Sequence, residues 1–502
     1  MVMASGSSLP PDGFRWVEHG DQSEAPPRRS RRRRWWWLGA ATVVVIAVVA
    51  GGVVAVLWGR SHKTRHDAVA PPAPPPIGTP KDLLVSFPLN RQPVPGWQLS
   101  GKDIGLPPGV KIGNLFARNG NKAYFITVEG CQGKCRNPTG WLYALDADTG
   151  ARLFPPLALP GFSGTDADCH SNGPAVAICT SRVAGEGDTA PPPGAWVINL
   201  DRGVVTYHGP NTLNPDLSTI GGMRVEVVGY RYGPGYVVAA KHGEGIHGIG
   251  PHAELTWFLP GSGGLLTPAL YDPDVPSLTL AVQPLGVPDD GRGNRVFSVV
   301  DGKDLTPTPP AGTRLEEVEV YNGGFAYQFD AGKTTGTLMY DTTGHQVGRQ
   351  QPERGYPRQN AAMLTLVVGG NFQIYDAAAK LIATIPSRGL VDDFRTIGTK
   401  LYVRTQGSGY GLEQGWQQWD LLTGQPGSTC TMDLGPDYVG SDGNIVIIKR
   451  LSVDEPSLLA IDTTSCQTLW EIPGKISLYK VGTGLIEIDY DHDAVMSLRP
   501  PD

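Results

Sequence analysis

Two distant stretches of the chain share one residue pattern, and this recurrence constrains the fold more than any other feature. The stretches are ALDADTGARLF at residues 144–154 and AIDTTSCQTLW at residues 460–470. In each, an apolar segment ends at an aspartate, a glycine or cysteine follows four residues later, and an aromatic residue closes the pattern. A carboxylate at a strand end can cap the following turn, and glycine supplies the positive φ that a tight turn requires. The pattern therefore predicts repeated pairs of β-strands joined by a capped turn.

Looser copies of this turn occur between the two sharp ones. Their strand-end aspartates are Asp201, Asp301, Asp341 (followed by Gly344), Asp376 and Asp420 (followed by Gly424), and the weakest copy lies at 255–266. The copies recur about every 35 to 55 residues, which is the period of four-stranded propeller blades. Each copy also follows another apolar run, such as KAYFITV or NIVIIK. We therefore expect an all-β chain forming an eight-bladed β-propeller of four-stranded antiparallel blades, with seven blades as the alternative.

A ring of blades requires the first and last segments of the domain to meet. The terminal segment LIEIDYDHDAVMSLRP, residues 485–500, and the early apolar segment LLVSFPL, residues 83–89, are the candidates. We expect a strand from within 83–100 to pair with one from within 484–499 in a composite blade, because this pairing removes two exposed sheet edges.

The repeat resembles the Ala-x-Asp-x-x-Thr-Gly-x-x-x-Trp repeat of the quinoprotein-like β-propellers, the superfamily named for pyrroloquinoline quinone enzymes. The resemblance extends over most of residues 85–500 and is sharp in two units. Family members include quinone-dependent dehydrogenases and cofactor-free binding propellers, such as the lipoprotein of the outer-membrane barrel-assembly machine. The resemblance implies that Asp146, Gly150, Asp462 and Trp470 hold blades together and are structural rather than functional.

The first 82 residues lack the repeat and divide into three segments. Residues 1–34 show no apolar periodicity and end in PPRRSRRRR, which predicts a disordered tail. Residues 35–59 carry no charge, have tryptophans at both ends and are long enough to cross a bilayer of about 30 Å as a helix. Residues 60–82 are a proline-rich linker, and 83–502 are the propeller.

The charges flanking this apolar segment predict its orientation. Six arginines precede it within 28–34, whereas three cationic residues follow it closely, so the amino terminus is expected in the cytoplasm and the propeller outside it. A cleaved signal peptide is the alternative, but the apolar run exceeds a signal-peptide core and the small-residue site Ala68–Ala70 is followed by Pro71. We expect a single-pass plasma-membrane protein, and the composition suggests an actinobacterial source.

Six cysteines fit an extracytoplasmic domain, because disulfides form in oxidising compartments and the count is even. We expect three bridges between neighbouring cysteines in chain order, Cys131–Cys135, Cys169–Cys179 and Cys430–Cys466. A zinc site is the alternative reading of Cys131, Cys135, Cys169 and His170, although their spacing matches zinc motifs poorly.

Two further clusters contain side chains that can bind metals. The first lies on a glycine-rich segment and consists of His242, Glu244, His247 and His252. These are weak candidates, since such a segment also fits a mobile hairpin loop. The second, Asp489–Asp493, has alternating carboxylates but lacks the glycine and glutamate that complete a calcium loop, so a polar turn is expected.

The function predicted from the sequence is binding rather than catalysis. The chain has no Gly-x-Ser-x-Gly, His-Glu-x-x-His or phosphate-loop motif, and it lacks the adjacent cysteine pair expected of a quinone dehydrogenase of the resembling family. A net charge of −6 argues against nucleic acid as a partner. We therefore expect no cofactor, and a membrane-anchored propeller that scaffolds an envelope protein or glycan. The alternatives are a quinoprotein dehydrogenase or other propeller enzyme with a site in the central channel, and an extracytoplasmic sensor.

Overall fold

In the residues that the computed structural model describes, the strands form nine antiparallel sheets, eight with four strands and one with two. The described residues are 77–128, 139–162, 168–181, 194–210, 223–228, 233, 235–266, 272–284, 294–350, 355–406, 415–435, 437–450 and 456–502. The only helical elements among them are a 3₁₀ turn, Lys81–Leu83, and a short helix α1, Gly101–Ile104. The all-β prediction is confirmed.

The sheets are called blades 1 to 9 in chain order, and in blades 1 to 8 the first strand lies at one edge of the sheet and the last at the other. Blades 1 to 3 contain β2 Asn114–Asn119, β3 Lys122–Val128, β4 Thr139–Asp146 and β5 Arg152–Pro160; β6 Asp168–Ser171, β7 Val176–Ser181, β8 Gly194–Asn199 and β9 Val204–Pro210; and β10 Met223–Val228, β11 Tyr236–Lys241, β12 Gly245–Ile249 and β13 Leu255–Pro260. Blades 4 to 6 contain β14 Leu280–Gln283 and β15 Arg295–Ser298; β16 Arg314–Tyr321, β17 Gly324–Asp330, β18 Thr335–Asp341 and β19 Gln346–Gln350; and β20 Tyr356–Arg358, β21 Leu364–Val368, β22 Asn371–Tyr375 and β23 Leu381–Pro386. Blades 7 to 9 contain β24 Leu390–Ile397, β25 Lys400–Thr405, β26 Trp416–Asp420 and β27 Pro426–Cys430; β28 Tyr438–Ser441, β29 Ile445–Arg450, β30 Ser457–Asp462 and β31 Thr468–Pro473; and β32 Ser477–Val481, β33 Gly484–Asp489 and β34 Ala494–Arg499, together with the first strand of the chain, β1 Val94–Ser100.

The blades form a closed ring. Nine clusters of buried apolar side chains are present, and each cluster joins two successive blades. The cluster between blades 9 and 1 contains Ile488 and Val495 from one blade and Phe125 and Tyr143 from the other. A sheet that is apolar on both faces is thus covered on both sides by its neighbours, which is how a propeller buries its blades.

Blade 4, which contains the copy predicted at Asp301, is a reduced blade of two strands. Isolated bridges join Leu266 to Val282 and Phe297 to Asp304, at the places that a first and a fourth strand would occupy. Eight four-stranded blades are present as predicted, but with blade 4 the ring has nine blades, one more than the eight expected and two more than the alternative of seven. The repeat count stopped at eight because the turn between a third and a fourth strand is absent from blade 9, whose fourth strand is β1.

The capped turn predicted at Asp146 is present in detail. Asp146 Oδ1 accepts hydrogen bonds from the backbone N–H groups of Asp148 (3.1 Å) and Thr149 (2.9 Å) and from the Thr149 hydroxyl (2.9 Å). Gly150 has a φ of 71° and donates its N–H to the Asp146 carbonyl at 2.8 Å. The same carboxylate-to-backbone bonds recur at Asp341, Asp376, Asp420 and Asp462.

In two blades the capping residue is not the aspartate that the sequence analysis chose. Asn199, not Asp201, caps the turn of blade 2 and accepts from a backbone N–H three residues later at 2.9 Å. In blade 4 the carbonyl of Ser298, not of Asp301, accepts the turn-closing N–H at 2.9 Å. Asparagine caps such a strand-end turn as aspartate does, and in blade 4 Asp301 lies inside the turn, where its Oδ1 accepts the Lys303 N–H at 3.2 Å, so a search for aspartate alone placed the start of both turns too late in the chain.

The turn of the repeat requires glycine because an aromatic side chain packs closely against it. A Cβ added to Gly150 of blade 1 would lie 2.7 Å from the ring of Trp97, which belongs to the outer strand of blade 9. Phe154 of blade 1 covers Gly203 of blade 2 in the same way. At these two turns an outer-strand aromatic of one blade therefore packs on the turn glycine of the next, which any side chain would block. This contact is the physical basis of the implied structural role of the repeat.

Blade 9 closes the ring as predicted. Strand β1 pairs with β34 from Val94 opposite Arg499 to Ser100 opposite Ala494. The segment 83–89 proposed for this role is not part of the blade. The closing strand lies immediately after it.

Residues 77–89 form a segment that we call the strap, which crosses three blades before β1 begins. Its backbone N–H groups donate to carbonyls of blades 7, 8 and 9 in turn, Thr79 to Gly398 (2.8 Å), Val85 to Ser441 (2.7 Å) and Ser86 to Thr483 (2.9 Å). Leu89 is fully buried, and its carbonyl accepts from Trp470 Nε1 at 2.8 Å. The last residues of the predicted linker, 77–82, are therefore packed against the ring.

Two of the predicted disulfides are confirmed. Cys169 and Cys179 lie opposite each other on β6 and β7, with Cα atoms 4.0 Å apart. Cys430 and Cys466 join blade 7 to the turn of blade 8, with Cα atoms 5.2 Å apart. Cys131 and Cys135 lie outside the described residues.

The predicted tail 1–34, the apolar segment 35–59 and the linker up to residue 76 lie outside the described residues. Within the part of the chain that the structure describes, no helix combines the length and the apolar character that a membrane span requires.

Candidate binding site in the central channel

A short loop between β13 and β14 reaches the inner strands on the far side of the ring. This channel loop, Asp272–Asp274, contacts the first strands of blades 7, 8, 9 and 1. The contacting side chains are Arg395 on β24, Tyr438 on β28, Lys480 on β32 and Arg118 on β2. All four are buried, as are the two carboxylates of the loop. The loop thus fastens four inner strands at one point.

The two aspartates of the channel loop have different partners. The Asp274 carboxylate accepts hydrogen bonds from the Lys480 ammonium and the Tyr438 hydroxyl. Asp272 Oδ1 lies 3.0 Å from Arg395 Nη1 and accepts the N–H of Asp274 at 3.0 Å. Because a buried carboxylate is stable only when paired, each aspartate fixes the position of the strand that supplies its cation.

Arg118 completes the network through backbone groups. Its guanidinium donates to the carbonyls of Pro273 (3.3 Å) and Lys480. The Lys480 ammonium also donates to the Leu83 carbonyl in the strap. The channel loop, four inner strands and the strap are therefore joined by one hydrogen-bonded network.

Burial controls the ionisation of these groups. It raises the pKa of Asp272, against the effect of the Arg395 charge, and lowers the pKa of Lys480, against the effect of Asp274. Burial and the Asp274 charge together raise the pKa of Tyr438 well above its ordinary value, so its hydroxyl remains a donor. These pKa shifts arise because a low-dielectric interior disfavours the charged form of each group.

An open cavity of about 390 Å³ lies beside this network, between the first strands of blades 6 and 7. Asp272 and Arg395 form part of its wall, and Asn360 from blade 6 lies opposite Phe394 from blade 7 in the lining. The cavity therefore adjoins the buried network and is reached from solvent.

A wide bulge in β24 supplies the acidic residues of the cavity. Leu390 pairs with Thr405, but the next pair along the ladder is Phe394 with Val403, so three residues of β24 face one of β25. Asp392 and Asp393 lie within the bulge and line the cavity. Bulges often redirect side chains next to a binding site.

Each of these two aspartates is paired with an arginine at the mouth of the cavity. Asp392 Oδ2 lies 2.7 Å from Arg358 Nε, and Asp393 Oδ2 lies 3.2 Å from Arg404 Nη1. Burial raises the pKa of Asp393, and Arg404 opposes the shift. All four side chains are between 30% and 48% exposed, so these pairs are weak and can rearrange around a ligand.

Residues 69–501 match the model of a family described as a conjugation-associated nine-bladed β-propeller domain. The chain belongs to this family. Its nine sheets agree with the blade number in the family's description.

One relative matches this chain over most of its length. It is an uncharacterised protein of Mycolicibacterium smegmatis (strain MKD8), 28% identical over 445 residues, which are 84% of this chain and 88% of the relative.

Several solved structures resemble this chain at low identity. BamB from Moraxella catarrhalis is 10% identical to this chain, with a TM-score of 0.34. The alignment covers 82% of this chain and 98% of the BamB chain. A europium-containing methanol dehydrogenase is 11% identical, with coverage of 79% and 84% and a TM-score of 0.31. A eukaryotic initiation factor structure is 12% identical, with coverage of 78% and 93% and a TM-score of 0.39. Likenesses this distant carry no information on function.

In this nine-bladed ring the four metal-ligand candidates of blade 3 have separate environments. Glu244 Oε1 lies 2.6 Å from Lys241 Nζ, and the His247 ring stacks on Phe258 with centroids 4.4 Å apart. Burial lowers the pKa of His247. The His252 ring packs edge-on to Tyr207, and His242 lies in the turn between β11 and β12. Among the described residues, no three His, Cys, Asp or Glu side chains are grouped as metal ligands.

The polar turn expected at Asp489–Asp493 is confirmed. Asp489 Oδ1 accepts the backbone N–H groups of Asp491 and His492 at 3.0 Å each, and Asp489 Oδ2 lies 2.7 Å from His492 Nδ1. Asp493 has a φ of 53° and accepts the Ile112 N–H at 2.9 Å. These carboxylates thus cap a turn and join blade 9 to blade 1.

The channel network was not predicted from the sequence. Its visible signal was a lone cation in a short apolar strand, as in NLFARN at Arg118 and SLYKV at Lys480. A charged residue inside a buried strand requires a partner, and Asp272-Pro273-Asp274 supplies it.

Proposed function

We propose that this protein is a membrane-anchored, extracytoplasmic scaffold that binds a protein component of a conjugation apparatus in the cell envelope. The family's description supplies the link to conjugation. The apolar segment 35–59 and its arginine-rich flank supply the anchor and its orientation. A protein partner follows from the fold, since a rigid ring of blades presents several loop-rich surfaces on a fixed frame.

The strap is the observation that carries this proposal. The chain that follows the predicted span is bonded to three successive blades and then supplies the strand that closes the ring. A tether attached in this way cannot separate from the domain without opening blade 9. The arrangement suits a domain that must keep its position while a partner pulls on it.

The channel loop favours binding over catalysis. Where a propeller enzyme would hold a substrate in its channel, this protein places its own Asp272–Asp274 segment, with each carboxylate paired to a buried cation. Among the described residues, the cavity at blades 6 and 7 remains open to a partner.

Deletion of the gene in cells that carry it and conjugate tests the proposal. We expect DNA transfer to fall by at least tenfold, to recover with the full chain, and not to recover with a chain lacking residues 35–59. Crosslinking of intact cells followed by purification of the full chain should recover an envelope protein. Unchanged transfer after deletion would overturn the link to conjugation, and recovery without residues 35–59 would overturn the anchored role.

A further inference from the structure

A lysine amine and a carboxyl group are in direct contact in the interior of the protein. The Lys480 ammonium donates to Asp274 Oδ1, and both side chains are almost completely buried. The second carboxylate oxygen, Oδ2, accepts the Tyr438 hydroxyl. The ammonium also donates to the Leu83 carbonyl in the strap. The amine and the carboxyl group are therefore held together, with a donor on one side and an acceptor on the other.

The buried environment favours the uncharged forms of this pair. Burial lowers the pKa of Lys480, Asp274 opposes the shift, and the Arg118 charge adds to it. A desolvated lysine is a nucleophile, because the neutral amine carries the lone pair that attacks a carbonyl carbon. Transfer of one proton from the ammonium to Oδ1 gives an amine and a carboxylic acid, and it removes two buried charges whose desolvation is costly.

We propose that Lys480 and Asp274 condense to an intramolecular isopeptide bond, a covalent cross-link between the channel loop and blade 9. The two residues are 206 positions apart in the sequence, so the bond closes a large loop of the chain. This modification goes beyond the proposed scaffold function and does not depend on it. The ion pair seen in the structure is the state before the reaction.

The contacts of the two carboxyl oxygens give them different parts in the condensation. Lys480 Nζ attacks the carboxyl carbon of Asp274, a C–N bond forms, and negative charge develops on Oδ2, where the Tyr438 hydroxyl stabilises it. A second proton then passes from the nitrogen to Oδ1. The bond between the carbon and Oδ1 breaks, and Oδ1 leaves as water with its electron pair. The step needs no oxidant and no co-reactant.

The amide product suits the site as well as the ion pair does. The one proton that remains on the nitrogen donates to the Leu83 carbonyl, as the ammonium does. Oδ2, now the amide oxygen, still accepts the Tyr438 hydroxyl. Both polar groups of the amide therefore keep their partners. Burial also excludes the water that the reverse hydrolysis requires.

Intact-mass measurement of the full chain, purified in detergent, reduced and denatured, tests the proposal. We expect a mass lower than that of the processed sequence by one water molecule. Lys480→Arg keeps the charge but cannot form this bond, and it should show the full mass. After digestion of the unsubstituted chain, tandem mass spectrometry should find a branched peptide containing both Asp274 and Lys480. A full mass in the unsubstituted chain, or a lost water that joins no two peptides, would overturn the proposal.

An exposed pair in the same chain provides the matched control. Lys241 Nζ lies 2.6 Å from Glu244 Oε1, but these side chains are 28% and 55% exposed. Lys241 should be recovered as a free amine, because exposed charged groups remain hydrated and ionised. A cross-link between Lys241 and Glu244 would mean that contact alone is sufficient, and it would overturn the argument from burial.

Tyr438→Phe tests the reaction itself rather than the contact. It removes the donor to Oδ2 and should slow formation of the bond by about tenfold or more. The cross-linked fraction, sampled at intervals after translation is blocked, can be followed on denaturing gels, where the looped chain should migrate faster than the Lys480→Arg variant. An unchanged rate would refute the part assigned to Tyr438. If a variant fails to fold, the branched peptide of the unsubstituted chain still decides whether the bond exists.

Discussion

Lys480 and Asp274 form an ion pair whose side chains are only 1% and 0% exposed, at the point where the channel loop meets blade 9. Lys480→Met would leave the Asp274 carboxylate buried with only the Tyr438 hydroxyl as a side-chain donor. Breaking such a pair on one side costs about 3 to 5 kcal/mol of unfolding free energy. Urea unfolding of the full chain at neutral pH measures this loss.

Two further variants decide whether the loss arises from the unpaired charge. Adding Asp274→Asn to Lys480→Met removes that charge and should restore part of the stability. Lys122→Met breaks a half-exposed pair with Asp201 and should cost under about 1 kcal/mol. A loss in the Lys122 variant as large as that of Lys480→Met would refute the explanation.

Glu319 on β16 should make stability depend on pH. Burial, with a contribution from Glu317, raises the pKa of Glu319 to about 7. Between the ordinary pKa of glutamate and this value the folded chain binds more protons than the unfolded chain, so stability is highest at low pH and is lost as the pH rises through about 7. Glu319→Gln should therefore stabilise the protein at pH 8 by about 2 kcal/mol relative to its effect at pH 5. Urea unfolding at both pH values provides the comparison, and an equal effect at the two would contradict it.

Two effects act at Cys466, the disulfide bond and the backbone strain of a positive φ, and their contributions to stability can be measured separately. Cys466 has a φ of 60° at the position where other turns have glycine. In a Cys430→Ser background, which removes the bridge, Cys466→Gly should be about 1 kcal/mol more stable than Cys466→Ala, because alanine resists a positive φ. Thermal unfolding of the two double variants tests this. Equal stabilities would mean that the turn changes conformation once the bridge is lost.

Gly78 and Gly109 provide a matched test of the strap. Both have a positive φ, 93° and 86°, but a Cβ on Gly78 would overlap the Gly398 carbonyl, whereas a Cβ on Gly109 would meet nothing within 4 Å. Gly78→Ala should therefore release the strap, whereas Gly109→Ala should cost only the backbone strain of about 1 kcal/mol.

Hydrogen exchange of the Thr79 and Val85 amides reports on the strap directly, because both donate to blade carbonyls. Protection should fall in the Gly78 variant alone. Equal protection in the two variants would show that the strap is not held at this position.

The sequence was informative where local chemistry repeats. The aspartate turn and its glycine follow from hydrogen bonding within a few residues, and so could be found without a structure. The same holds for Cys430 and Cys466, which lie in consecutive copies of the repeat.

The candidate site could not be predicted in this way because its parts are distant in the chain. Asp274 and Lys480 meet only once nine blades have formed a ring, and Asp392 faces the cavity because of a bulge that has no signature in the residues VDD. The number of blades could not be predicted from the sequence for a similar reason. Blade 9 takes its fourth strand from β1 and so lacks the turn of the repeat, and nothing local to it reveals a ninth place in the ring.

The pairing of β1 with β34 also sets an order of events during synthesis. Val94 leaves the ribosome well before its partner Arg499, which lies 405 residues later in the chain (499 minus 94). At roughly 5 to 20 residues per second, the first strand waits on the order of 20 to 80 s for its partner. During that interval eight blades can assemble while blade 9 does not yet exist, so the nascent protein is an open arc with two free ends. Any chaperone or translocation partner that protects this protein therefore has one defined target, the unpaired edge of β1.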